Sequence, residues 1–398
     1  MSSAPASSTR LYYDDSYLRR FQASAEAGAD PQRIYLDRTG FYPTSGGQPF
    51  DTGTIGNARV VEVVDEEERV AHLIDRPLDP AAVHDCVIDW PRRFDHMQQH
   101  TGQHLLSAVL ADVFKLPTVS FHLGEGSATI DVEASDFSHK RLLEAESRVN
   151  AAVFENHPVT VSYHDAQEPL GLRKPSERGG VIRVVTIEGM DRSACGGTHV
   201  AGTAEIGPVF LRGLDKVRGN VRIEFLCGSR AIARARADYD ALSTIARRFS
   251  APIDEAPALA AGQADRLAEA EKLARKLSGE LAASRGRDLY AGTAVNPRGL
   301  RLHVRQIAAG PIADDVRQEA QAFVAAGGGA VFAALCAAPA SILLCASPDA
   351  PVKAGAVLKL ALEKHGGRGG GNPILAQGSV PSAEALQAVW TELAALVG

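Results

Sequence analysis

The 398-residue sequence has only five cysteines, at positions 86, 195, 227, 336 and 345. An odd, scattered set argues against a disulfide framework and for a reducing compartment. Long apolar runs are missing too. No stretch reaches the ~18–20 residues that a membrane-spanning helix needs, and the opening "MSSAPASSTR" has no apolar signal-peptide core. A cytoplasmic chain with no membrane partner is expected. Nor is there an excess of positive charge: the net charge of −6 excludes a wholesale polyanion binder. It leaves room for local basic patches, because the local field matters more than the total. "RGLDKVRGNVR" carries Arg212, Lys216, Arg218 and Arg222, and "GLRKPSERGG" carries Arg173, Lys174 and Arg178. Each alone reads as a solvated turn. The Gly-rich "GGRGGGN" at 366–372 lacks G-x-x-x-x-G-K-[ST], and a G-x-G-x-x-G frame from Gly367 ends on Asn372, which speaks against a nucleotide site.

What is present is ordinary globular composition, 45% hydrophobic and 23% charged, in a chain long enough for two or three cores. Residues 1–95 read as a β-rich domain, a small barrel or sandwich. "RIYLDRTGFY", "ARVVEVVDEEERVAHLID" and "DCVIDW" carry β-branched residues between Gly, Pro and Asp punctuation. From His96, "HMQQHTGQHLLSAVLADVF" has helical spacing, and strand-like and helical pieces then alternate, so residues 96–228 read as an α+β domain. Residues 229–290 read as a helical linker, a hairpin or short coiled coil broken near Pro252 and Pro257. Its second part carries a narrow stripe of Leu267, Ala270, Leu273, Ala274, Leu277 and Leu281. Residues 291–398 alternate apolar strands with helices, as a separate α/β domain would. The expected fold is α+β and multidomain.

Two pairs of ligand-type residues stand out. His100 and His104 of "HTGQH" are i and i+4 on a helix, so both imidazoles share one face. Cys195 and His199 of "CGGTH" flank two glycines that permit a tight turn. One Cys with three His is an acceptable tetrahedral zinc set. His96 falls on the same helix face but is left out, four ligands being available. Either pair alone is more simply a surface or core feature; together they point to a metal. A zinc-protease reading is disfavoured, because Thr101 sits where such enzymes carry a glutamate.

Four stretches in order, "LDRTGFYPTSGGQPFDTG" (36–53), "HTGQHLL" (100–106), "CGGTHVAGTAEIG" (195–207) and "GGRGGGNPILAQG" (366–378), resemble the editing and C-terminal domains of alanyl-tRNA synthetase. With too little chain ahead of residue 11 for an activation domain, the resemblance is to the free-standing AlaX editing proteins in their long form, over about residues 12–398. It implies one zinc ion on His100, His104, Cys195 and His199. It also implies hydrolysis of serine, and of glycine, from tRNA(Ala), and a DHH-associated C-terminal domain assisting tRNA binding and self-association, with a homodimer through the linker or that domain. "TVSFHLGEG" (118–126) occupies the place of a pocket-lining segment, making Ser120 and His122 the expected aminoacyl contacts. Gln103 can orient a water but cannot take its proton. Thr44, Ser45 and Gln48 are expected to hydrogen-bond the tRNA end, with Gly46 and Gly47 allowing close backbone approach. Lys364, His365 and Arg368 suit phosphate contacts. Four ligands leave open whether zinc orients the substrate or whether Cys195 gives way to water. A tRNA-binding module with structural zinc, or a zinc hydrolase of another small acyl ester, stays open as well.

Overall fold

The structure, a computed structural model, describes residues 7–79, 82–175 and 179–398; Arg178 lies outside them. The chain is mixed α+β and forms two compact units, Met1–Thr244 and Ile245–Gly398.

The first unit opens with a closed six-stranded barrel, a barrel and not a sandwich. Its strands run in the order Arg20–Ala27, Arg33–Leu36, Arg69–Ile74, Ala58–Glu66, Gly53–Ile55 and Val83–Ile88. The alternation in the sequence turns Ile34, Leu36, Val60, Val63, Val70, Ile74 and Ile88 into one buried core. Small interior residues, Ala23 and Ala25, keep that core narrow. A histidine is buried with it. His72 is fully buried, its Nε2 2.8 Å from Thr39 Oγ1 and its Nδ1 unpartnered. Burial pushes its pKa from 6.5 down to about 4. The unfolded chain therefore takes up this proton first, so stability is full above pH 6.5 and lost as pH falls towards 4. The loss amounts to roughly 3 kcal/mol. Urea unfolding of wild type and His72→Leu between pH 7 and 4 should show a shallower acid loss in the variant. Parallel profiles would rule out His72 as the source.

Helix α1, Trp90–Phe114, follows the barrel. It begins before residue 96, so the expected domain junction falls inside it. Its middle is buried all round, although much of it is polar. The sequence permits this because the amides of Gln98 and Gln99 find partners. Gln98 donates to Glu205 O at 2.8 Å, and Gln99 both donates to Cys227 O and accepts from Cys227 N–H. Helix α2, His139–Glu155, is capped by Ser138. The two helices pack with the antiparallel sheet Val209–Val217, Asn220–Cys227, Ala128–Val132, Thr118–Leu123. A separate three-stranded sheet, Val159–Asp165, Val181–Ile187, Asp191–Ala194, leads into the Cys195 loop. Helix α3, Gly228–Arg248, comes next.

In the second unit, α4 is a single helix, Ala256–Gly292, with Pro257 in its first turn. Leu267, Leu273, Leu277 and Leu281 on it are each more than half exposed. The C-terminal end instead packs, with Ala282 and Gly286 buried and Leu289 and Tyr290 against the core of α5, Asp314–Ala325. The five-stranded sheet runs Arg301–Ile307, Ala330–Ala337, Ala340–Ala346, Leu375–Ser379, Arg368–Gly371, its first pair parallel and the rest antiparallel. Helices α6, Ala354–Lys364, and α7, Ala383–Val397, supply a second core. Buried on both faces, the two central strands read in the sequence as unbroken apolar runs. No helix among the described residues is long and apolar enough to cross a membrane.

Candidate metal centre

Helix α1 places His100 and His104 one turn apart, with ring centroids 5.2 Å from each other. Cys195 and His199 come from the loop after Asp191–Ala194, and that loop folds directly onto the helix. Its closest approach is at Gly197, where a Cβ would stand 2.3 Å from the His100 ring. The ligand atoms of all four residues lie within 4.8 Å of one another. Cys195 Sγ is 3.5 Å from His100 Nε2 and 3.3 Å from His199 Nε2. A tetrahedral zinc site has N···S edges of roughly 3.6 Å, from bonds of about 2.1 and 2.3 Å. The donor set and its spacing fit that ion.

Each imidazole has its other nitrogen engaged, which turns Nε2 inward. His100 Nδ1 meets Gln48 Oε1 at 2.9 Å, His104 Nδ1 meets Asp191 Oδ2 at 2.8 Å, and His199 Nδ1 meets Thr101 Oγ1 at 3.1 Å. Asp191 is itself held by Arg173 Nε at 2.7 Å and by the Ser193 hydroxyl. Arg183 donates to the carbonyls of Cys195 and Gly197 at 2.7 and 3.0 Å, fixing the turn between the ligands. Burial works against the Cys195 thiolate, yet His100 and His199 hold the thiol well below its usual range. Burial pushes His199 down to about 3. Burial also opposes charge on His104, but Asp191 brings it up to about 9, and the same contact outweighs burial to hold Asp191 at about 2. His96 is buried outside the cluster.

The cluster opens on a cavity of about 780 Å³. Ser45, Gly46, Gln103 and Ser120 line it; Thr44, Gly47, Gln48 and His122 do not. The burial of Gln48 corrects one expectation here. Gln48 is fully buried, and its amide is consumed by His100 and by Thr198, whose hydroxyl accepts at 2.8 Å, so it supports the cluster and has nothing left for tRNA. Thr44 Oγ1 accepts from the Phe50 N–H. Gly47, at φ +84°, is shaped by close packing on Phe121, whose ring would lie 2.8 Å from a Cβ. His122 is exposed, away from the cavity lining. Ser120 faces the cavity but donates to Asp131 Oδ2 at 2.8 Å, and Arg222 closes on the same carboxylate at 2.7 Å. Arg173 and Arg222 are thus internal ion-pair partners, while Arg212, Lys216, Arg218 and Lys174 stay exposed.

In the second unit, "GGRGGG" is no phosphate cradle. Arg368–Gly371 is an edge strand whose backbone pairs with Leu375–Ser379, and Lys364 and His365 both turn to Glu392 at 3.1 Å. Arg368 itself is exposed.

A family model described as the threonyl and alanyl tRNA synthetase second additional domain matches residues 182–224. Cys195 and His199 lie within that segment. The alanyl-tRNA editing protein AlaX-L of Pyrococcus horikoshii is 31% identical over 93% of this chain and 94% of its own length. The chain belongs to the alanyl-tRNA editing protein family. Another member, AlaX-M of Methanosarcina acetivorans, is 35% identical over 54% of this chain and 97% of its own. Mouse Aarsd1 is 35% identical over 50% of each protein, and the chain spans about half the length of the Aarsd1 relatives it matches. For this editing-family member, sequence reasoning missed Asp191 and Arg183. Asp191 lies four residues before Cys195, and the signal available was a carboxylate that close to a ligand pair.

Proposed function

We propose that the chain is a trans-acting hydrolase that removes serine, and glycine, from mischarged tRNA(Ala) in the cytoplasm. A three-histidine, one-cysteine cluster opening on a cavity of mixed polar and apolar lining, in a member of the alanyl-tRNA editing family, carries this reading. A synthetase pocket cannot reliably reject one added hydroxyl, so a second site corrects the error. His100, His104, Cys195 and His199 would hold the zinc ion. Bound there, the ion would supply the positive charge that polarises an ester carbonyl or a water. Gln48, Asp191 and Thr101 hold the imidazoles in orientation. Ser45, Gly46 and Ser120 border the space for the aminoacyl end, and Lys174 offers its ammonium to tRNA phosphates at the cavity's lip.

The β-rich domain at 1–95, which contains the barrel, the 96–228 domain, the 229–290 linker and the 291–398 domain are our working division of the chain. The exposed leucines of α4 are our candidate homodimer seam. The test is deacylation of seryl-, glycyl- and alanyl-tRNA(Ala) by zinc-loaded and chelator-stripped protein. The expected result is zinc-dependent loss of serine with alanine spared. Tight tRNA binding without turnover would establish a binding module instead, and equal cleavage of all three esters a general esterase. Affinity for tRNA should fall with rising salt as phosphate contacts release counterions. A Lys174→Ala variant should flatten that slope by about one unit if its ammonium meets a phosphate.

A further inference from the structure

Gln103 follows the first metal-ligand histidine by three positions and is only 6% exposed. Its amide nitrogen donates to Ser107 Oγ at 2.8 Å, one helical turn on. The Thr118 hydroxyl, on the neighbouring strand, donates to the same oxygen at 2.7 Å. Ser107 is thereby pinned between helix and strand, and it pins the Gln103 amide in turn. The amide carbonyl has no hydrogen-bond partner among the described residues, and Gln103 lines the cavity together with His100, His104 and Thr118. A carbonyl left open on the cavity, with the nitrogen end of its amide fixed, is placed to accept a hydrogen bond from whatever fills that cavity.

We infer that Gln103 Oε1 accepts the side-chain hydroxyl of the substrate's β-hydroxy amino acid, and so selects serine over alanine. The inference rests on the editing reading of the same site and names what that site recognises. An alanyl group has only a methyl hydrogen where serine carries its hydroxyl and leaves the carbonyl without a partner, a discrimination on the order of 10- to 100-fold. The role is one of specificity, since an amide takes no proton. A ribose hydroxyl of the tRNA end could offer the same chemistry, but it would be shared by seryl and alanyl substrates alike.

The experiment titrates non-hydrolysable, amide-linked seryl- and alanyl-adenosine into the zinc-loaded full chain by calorimetry. Wild type should prefer the seryl ligand at least tenfold. Gln103→Met, close in shape, should bind the two within about threefold of each other. Ser107→Ala keeps the acceptor but releases its anchor, and should lose part of the preference; it carries the test if the methionine variant fails to fold. No preference in wild type overturns the inference, and so does a preference that survives Gln103→Met. The first result points to a ribose hydroxyl or to no hydroxyl contact, the second to another acceptor. A seryl preference with no cleavage of seryl-tRNA(Ala) would sink the hydrolase and keep the subsite. Cleavage with a preference that ignores Gln103 would do the reverse.

Discussion

His104→Ala is expected to lower zinc affinity by 100-fold or more and to bring seryl-tRNA(Ala) deacylation down to background. The reasoning is additive at first approximation. Structural zinc sites are worth roughly 10–16 kcal/mol over four donors, so one donor accounts for several kcal/mol. The loss should exceed that share, because Asp191 is fully buried beneath His104 and would keep only Arg173 and Ser193. Asp191→Asn separates the two contributions. It preserves volume and leaves His104 in place, but removes the charge that fixes the ring, so affinity should fall about 10- to 100-fold. Gln48→Leu should act in the same direction through His100, without changing charge. Competition with a chromogenic chelator measures all three, and circular dichroism checks that each variant is folded. Stoichiometric, tight zinc in His104→Ala would mean the ion is held elsewhere, and the ligand set assigned to this site would be wrong.

Legibility in the sequence followed range. The spacing of His100 and His104, and the glycines between Cys195 and His199, are local patterns with local geometric consequences, and the structure brings the two pairs together. Strand alternation over residues 11–95 announced a β domain, but closure into a barrel depends on the pairing of Gly53–Ile55 with Val83–Ile88, which no local period encodes. Gln48 was misread for the same reason. Its partners are 52 and 150 positions away, so a buried amide serving His100 and Thr198 looks in the sequence like the exposed end of a tight turn. Glycines 369–371 carry no strand signal in the sequence because strand propensity counts side chains, whereas this edge strand is specified by the partner it pairs with. The α4 leucines fall on one stripe in the sequence. Periodicity alone cannot say that its middle stays exposed while Ala282 and Gly286, nearer the C-terminal end, are buried.

The largest effect on stability is expected outside the metal ligands, at Arg93, two turns of α1 before His100. This side chain and Asp51 are both fully buried, the arginine from the second turn of α1 and the aspartate from the barrel segment that follows the SGGQ motif. Arg93 Nε lies 2.9 and 3.0 Å from the two carboxylate oxygens, and Nη2 closes on the same carboxylate. The remaining donors go to main-chain carbonyls, Nη1 to Ser16 at 3.0 Å and Nη2 to Gly40 at 2.6 Å. Asp51 also accepts from the Tyr42 N–H at 2.6 Å. The guanidinium thus ties three separate stretches of the N-terminal region to the helix that carries His100 and His104. Removing it leaves a buried carboxylate with one backbone donor and two carbonyls with none, so Arg93→Met should destabilise the first unit by about 3–5 kcal/mol. The double variant Arg93→Met, Asp51→Leu should recover a large part of that loss, because most of the cost lies in the stranded charge and not in the missing attraction. Urea denaturation of the single and double variants reads the difference directly. A single-variant loss below 1 kcal/mol would show that the carboxylate finds water or a proton in this interior. The barrel and α1 would then be held together by their apolar contacts alone.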